Sequence, residues 1–188
     1  MAKSRFERWI SASHGLAKVD IWIGKDRKLA GIPGLFHQAQ RLGRFDVELD
    51  HGENLVAQAI KLQKTPGATL PDAALILPDR HIYQSYLWVL SAYELIRTVD
   101  QACSKDNTIY GAALSQEIKD YKHEIERLRV PLVKVEPAKR HKSTDFAMAY
   151  PLWINDREVA WQVSATNTIS RKRLSDGLLT LLEKLKGV

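Results

Sequence analysis

The chain has 188 residues, enough for one ordinary domain with a hydrophobic core of its own. Its single cysteine, Cys103, excludes an intrachain disulfide and any cysteine-based metal cage, and suits a reducing, cytoplasmic setting. The formal charge of +6 leaves room for a polyanion partner and is unevenly spread: positions 45–79 carry six acidic against two basic side chains, and positions 129–142 carry five basic against one acidic.

At the N-terminus, MAKSRFERWISASHG has charges at positions 3, 5, 7 and 8 and lacks the apolar run of a signal peptide, so secretion is not expected. VDIWIG (19–24) alternates Val19, Ile21 and Ile23 with Asp20, Trp22 and Gly24, the period of a half-buried strand. RFDVELD repeats it, with Phe45, Val47 and Leu49 on one side and Arg44, Asp46, Glu48 and Asp50 on a solvated acidic one. Between them, GIPG (31–34) supplies turn chemistry, and FHQAQRLG reads as a short helix closed by Gly43. ENLVAQAIKLQK (53–64) has helical spacing and stops before Thr65-Pro66-Gly67, and residues 70–78 form a Pro-bounded connection.

From Asp79 to about Ser104 the apolar positions cover so wide a surface that a central, enclosed helix is expected, with Cys103 a structural thiol. Gln84, Ser85, Glu94, Arg97, Asp100 and Gln101 make this segment too polar for a bilayer. After a turn at 104–108, Ile118, Tyr121, Ile125, Leu128, Leu132 and Val135 recur at heptad-like intervals, which predicts a second long helix packed antiparallel on the first. Pro131 falls inside that seam and should kink or break the helix near 127–131.

Beyond Pro137 comes a basic loop, AKRHKSTD. AMAYPLWI and EVAWQVS then alternate around Asn155-Asp156-Arg157 and predict a β-hairpin, with Pro151 marking its first strand as an edge. A final helix from about Ser170 carries the stripe Leu174, Leu178, Leu181, Leu182 and Leu185. The fold expected is α+β: an antiparallel long-helix hairpin core, additional helices, and a small antiparallel sheet made from the N-terminal strands and the 147–164 hairpin. It forms a single domain over 1–188, divided into 1–78, 79–136 and 147–188.

No Gly-rich phosphate loop, GxSxG elbow or HExxH motif is present, and the six histidines include no i, i+4 pair, so no metal or cofactor is assigned. DVELDHGEN resembles the start of a calcium loop but has His51 and Ala57 where that loop needs glycine and a bidentate acid. The strongest site signal is basic: Arg129, Lys134, Lys139, Arg140 and Lys142 at a helix end and its loop, with Arg171, Lys172 and Arg173 opening the last helix. Lysine and arginine at a helix start oppose the macrodipole and so argue for another role. Glu94, Arg97 and Gln101 share a face that could line a cleft, and Trp153 and Trp161 could stack on a ligand.

The helix pair followed by LRVPLVK (128–134) resembles the HEPN group, small helical-bundle domains of prokaryotic toxin, defence and nucleotide-handling systems. The resemblance covers about 79–141. RNA-cutting members carry an arginine, four to six residues, then a histidine near a helix end, and their dimers join the two sites. Here the residue after four intervening positions from Arg129 is Lys134, which is protonated near its ordinary pKa and cannot act as a general base; His141 comes after eleven. Arg8 and His14 meet the bare spacing outside the hairpin. The resemblance therefore implies a non-cleaving relative, and three functions are expected in order: a non-enzymatic cytoplasmic binding or regulatory domain for RNA, DNA or another polyanion, dimeric through its long helices; a ribonuclease using Arg8 or Arg129 with His14 or His141; and a protein-interaction subunit.

Overall fold

The computed structural model describes residues 3–24, 34–67, 76–155 and 157–187. Its elements are α1 (Arg5–Ser13), α2 (Ala17–Gly24), α3 (Leu35–Gln63), α4 (Leu77–Lys105), α5 (Gly111–Lys134), β1 (Tyr150–Ile154), β2 (Glu158–Gln162), β3 (Thr168–Ser170) and α6 (Arg171–Lys186), with 3-10 turns at His14–Leu16 and Lys139–His141. The class is α+β, with multiple helices and one small antiparallel sheet, as expected.

Local chemistry sets most helix starts. Ser4 and Glu7 form a reciprocal capping box at α1. The α3 start has no cap from its own N-cap residue, Gly34; instead Asp20 of α2 accepts from the Leu35 and Phe36 amides at 2.6 and 3.0 Å. Ser170 accepts from the Arg173 amide and starts α6.

The α4–α5 hairpin is the centre of the molecule. Val89, Ala92, Ile96 and Val99 of α4 are wholly buried, and α4 packs against α2, α3, α5, α6 and β2. On α5 the seam residues Ile118, Tyr121, Ile125 and Leu128 all face the core, and the Tyr121 hydroxyl donates to the Leu174 carbonyl at 2.7 Å. Fully burying each such isoleucine or leucine is worth about 1.5–3 kcal/mol, so this seam alone commits α5 to α4 and α6. The five α6 leucines of the expected stripe are all buried.

Pro131 does not break the helix. Helical structure runs past it to Lys134, and its ring is buried. Lying in the last turn, it removes a single backbone bond where the helix is about to end, so the loss is small beside the packing of its ring. Val135, expected on the seam, is instead the left-handed cap at φ 55° and is 59% exposed.

The N-terminal strands are absent. VDIWIG lies in α2, where only Val19 is buried and Ile21 is 66% exposed. RFDVELD is the middle of α3, with Asp46, Leu49, Glu53 and Val56 buried at intervals of 3, 4 and 3. Gly43 does not stop a helix; it lies inside α3, where an added Cβ would stand 2.4 Å from Trp9 Cγ. Residues 31–33 of GIPG and 70–75 of the expected connection lie outside the described residues, and Leu77 and Pro78, expected in that connection, already belong to α4. The sheet has the order β1-β2-β3, so β3 takes the place expected for N-terminal strands. The hairpin is as expected: β1 is an edge, Pro151 stands opposite Trp161, and Asn155 turns the chain at φ 52°.

Candidate functional site

Two charged regions stand out, and they differ in kind. The first is interior. On α3, Asp46, Asp50 and Glu53 fall at i, i+4 and i+7 and so share a face, which α6 meets with its first residue, Arg171. That guanidinium is 0% exposed and donates to Asp46 Oδ1 and Asp50 Oδ1, both at 2.6 Å, and to Glu53 Oε1 at 2.9 Å. Asp46 also accepts from Arg5 Nε at 2.6 Å, Trp9 Nε1 at 3.0 Å and Ser175 Oγ at 2.5 Å. Burial pushes the Asp46 carboxyl up, but Arg5, Arg171 and Ser175 outweigh it and hold it below the ordinary range. Glu53 is likewise lowered: burial raises it, while His81 and Arg171 bring it down.

This corrects two expectations. The acidic residues of RFDVELD do not form one solvated face: Asp46 is wholly buried and Asp50 partly so, whereas Glu48 is exposed. Arg171 is no part of a polyanion surface, since carboxylates take its donors and solvent does not reach it. Its neighbours are less committed: Lys172 stands 3.5 Å from Asp176, and Arg173, 63% exposed, 2.7 Å from Glu124. Beside the cluster His81 is buried, stacked on Trp153 at 5.7 Å, with Nε2 3.9 Å from Glu53 Oε1, beyond hydrogen bonding. Trp161 is 1% exposed. Trp161 is therefore not free to take a ligand, and Trp153, half-buried, is stacked on His81. Among the described residues no group of three or more His, Cys, Asp or Glu side chains could hold a metal ion.

The second region is the basic loop. After α5, Ala138 is buried and the chain makes a compact turn in which the His141 carbonyl accepts from the Thr144 and Asp145 amides at 3.1 and 2.9 Å. Asp145 locks this turn to α5 by accepting Arg127 Nε at 2.7 Å and Nη2 at 2.8 Å, with its side chain only 1% exposed. Burial raises the Asp145 carboxyl, but Arg127 and Thr144 bring it net down. Lys139, Arg140 and Lys142 project from the clamped turn, all exposed, and none meets a carboxylate among the described residues. Of the other cations expected there, Arg129 lies over the Tyr93 ring at 4.9 Å and Lys134 stands 3.8 Å from Glu136. His123 of α5 shares this environment: its burial, then Arg140 and Lys122, lower its pKa.

Nothing assembles the expected Arg/His pairs. Arg8 donates to both Glu183 oxygens at 2.9 and 3.0 Å, whereas His14 packs on Phe36 with ring centroids 4.6 Å apart. Arg129 is engaged with Tyr93, and His141 lies in the clamped turn. His14 does line a groove of about 1020 Å³ between α2, the start of α3 and the end of α4, together with Trp22, Phe36, Arg97 and Gln101. The expected polar face of α4 therefore borders a cleft. Arg97 is held there by Glu94 at 2.8 Å, and Asp20 accepts from the first amides of α3.

Phe146, Met148 and Tyr150 were not singled out by sequence reasoning, which placed Met148 and Tyr150 in an alternating strand and did not mention Phe146; they stand exposed immediately after the basic loop. The signal was there in DFAMAY, whose large apolar residues alternate with alanine, and an alternating segment does not reveal which face finds a partner. No protein-family model, no curated protein and no solved structure matches this chain.

Proposed function

We propose that this chain is a non-enzymatic, cytoplasmic binding or regulatory domain that holds a polyanion, nucleic acid foremost, on the loop 139–142. The observation that carries the reading is the density of cations on this loop: Lys139, Arg140 and Lys142 are exposed within four positions and meet no carboxylate among the described residues, on a turn clamped by Arg127 and Asp145, whereas Arg5, Arg8, Lys122, Arg127 and Arg171 are matched to carboxylates. Clamping lowers the ordering cost of binding, and adjacent unmatched cations are what phosphates need. A non-cleaving relative of HEPN-type domains fits this reading, supported by the α4–α5 pair.

The test is binding of labelled oligonucleotides over a salt series. Affinity should fall with salt, and Lys139→Ala/Arg140→Ala/Lys142→Ala should weaken binding and flatten the logarithmic salt slope by about 2–3, at roughly 0.7–0.9 for each phosphate that is no longer neutralised. Salt-independent binding, or a triple variant that binds like the parent, rejects the reading. The ribonuclease alternative is tested by incubating mixed RNA with the parent, His14→Ala and His141→Ala; no cleavage by any of the three is the expected result.

His123 offers a second readout. Phosphate near Arg140 would offset one of the charges that lower the His123 pKa, so the pKa should rise on binding. A group whose pKa rises in the complex takes up protons on binding, so affinity should increase as pH falls through the His123 titration. Imidazole NMR shifts across a pH series, with and without oligonucleotide, check this; a His123 titration that is indifferent to the ligand counts against it.

Self-association and protein contacts belong to the same proposal. Dimerisation was expected through the long helices; the α5 seam packs within the chain as expected, and the exposed large apolar residues of α3 and α4 are Leu55, Leu62, Tyr83 and Leu87. Sedimentation of the parent and Tyr83→Glu/Leu87→Glu should show whether that surface pairs two copies. No helix among the described residues is long and apolar enough to cross a membrane.

A further inference from the structure

The residues that follow the basic turn are built differently from the rest of the hairpin. The Phe146 amide donates to the Val163 carbonyl at 2.8 Å, while Tyr150 pairs with Gln162. Val163 and Gln162 are adjacent while Phe146 and Tyr150 are four apart, so the chain before β1 bows out from the end of the sheet. Ala149 is buried in this bowed segment, whereas Phe146, Met148 and Tyr150 are 36%, 46% and 54% exposed. The two rings meet in a T-shape with centroids 6.0 Å apart, an arrangement that leaves ring faces uncovered by the other ring.

This apolar, aromatic surface adjoins the unmatched cations. One hydrogen-bonded turn separates Lys142 from Phe146, and the Asp145 carboxylate between them is neutralised by Arg127. Cations for a phosphate backbone and open ring faces therefore stand side by side on one clamped segment. A duplex can use the cations but not the rings, because its base faces are already stacked and unstacking them is costly. A single strand can use both.

Resting on the polyanion reading above, we propose that Phe146 and Tyr150 form a base-stacking platform and that the ligand of the basic loop is single-stranded nucleic acid. Lys139, Arg140 and Lys142 take its phosphates, unpaired bases lie on the two rings, and Met148 extends the apolar floor. Rings accept any base face, so sequence preference is weak. RNA and DNA strands bind alike, because bases and phosphates are common to both.

The test uses the full chain and fluorescence anisotropy with five probes: a mixed-sequence single strand as RNA and as DNA, the same DNA strand in a blunt duplex, an abasic strand of equal length, and poly-glutamate. Each is titrated against the parent, Phe146→Ala, Tyr150→Ala, Tyr150→Phe and the triple cation variant, with thermal melts to confirm folding. The expected result is preference for the single strand over duplex and abasic strand, about tenfold or greater loss for each ring-to-alanine change, and retention in Tyr150→Phe. The salt slope should stay unchanged in the ring variants and drop in the triple variant. Equal binding of single, abasic and duplex strands, or ring variants that bind like the parent while the triple variant fails, overturns the stacking platform and leaves the polyanion reading standing. Poly-glutamate bound in place of any nucleic acid points to an acidic protein partner and overturns the platform. A triple variant indistinguishable from the parent on every probe overturns both.

Discussion

Arg171→Met should destabilise the fold by about 3–5 kcal/mol, the usual consequence of removing one partner from a buried charge pair. In a protein of this size that is roughly a 6–20 °C fall in melting temperature. The cost comes less from lost attraction than from what stays behind: Asp46, wholly buried, and Glu53, nearly so, lose the guanidinium donors that compensate their desolvation. Arg171→Lys should recover only part of it, because an ammonium cannot span three carboxylates as the fork does.

The pH dependence separates this account from simple loss of packing. In the parent, Asp46 and Glu53 titrate below their unfolded values, so their contribution is present above about pH 4 and is lost as pH falls through the folded-state values. In Arg171→Met the same carboxyls keep their burial and lose a cation, so their folded pKa values move up. A carboxyl whose folded pKa is higher in the variant than in the parent costs the variant stability only where it is ionised. The stability gap between parent and variant should therefore narrow as the pH is lowered from 7 to 4. Urea midpoints measured along that range decide it, and a gap that is constant with pH would show that Arg171 matters only as packed volume.

Gly43→Ala is the second large effect, and its sign opposes intuition. Within a helix this change ordinarily gains close to 1 kcal/mol. Here the new Cβ would stand 2.4 Å from Trp9 Cγ and 2.5 Å from Trp9 Cβ, and Trp9 is wholly buried with its indole N–H on Asp46. Either α1 moves off α3 or the indole leaves its carboxylate. Overpacking of this kind costs about 1–3 kcal/mol and sometimes more, so the variant should be less stable than the parent. Gly24→Ala serves as the control: among the described residues no atom beyond its chain neighbours lies within 4 Å of its added Cβ, and its stability should match or slightly exceed the parent's. If both changes prove neutral, α1 and α3 are not held together by this contact.

The C-terminal half was far more legible than the N-terminal half, and the reason is periodicity. Ile118, Tyr121, Ile125 and Leu128, and then the α6 leucines, repeat at intervals that only a helix brings to one face. The hairpin alternates and is broken by turn residues, which only paired strands satisfy. In RFDVELD both periods are present at once: Asp46, Glu48 and Asp50 are two apart, while Asp46, Asp50 and Glu53 are four and three apart. Local pattern cannot choose between them. Arg171, 125 positions from Asp46, chooses, because a buried guanidinium needs those three carboxylates on one side.

The candidate site divides in the same way. That cations cluster at 129–142 and 171–173 is a property of the sequence, as are the missing catalytic motifs and the wide apolar surface of α4. Which of those cations can meet a ligand is not, because a charge is available only if no buried carboxylate has claimed it. Tertiary packing removed Arg171 from the surface, set Arg129 over Tyr93, and left Lys139, Arg140 and Lys142 exposed, with no carboxylate partner among the described residues, on the turn that precedes Phe146 and Tyr150. Composition and period determined the helices, the hairpin and the sign of the surface; desolvation and long-range pairing, which no local window contains, decided where charge remains to be used.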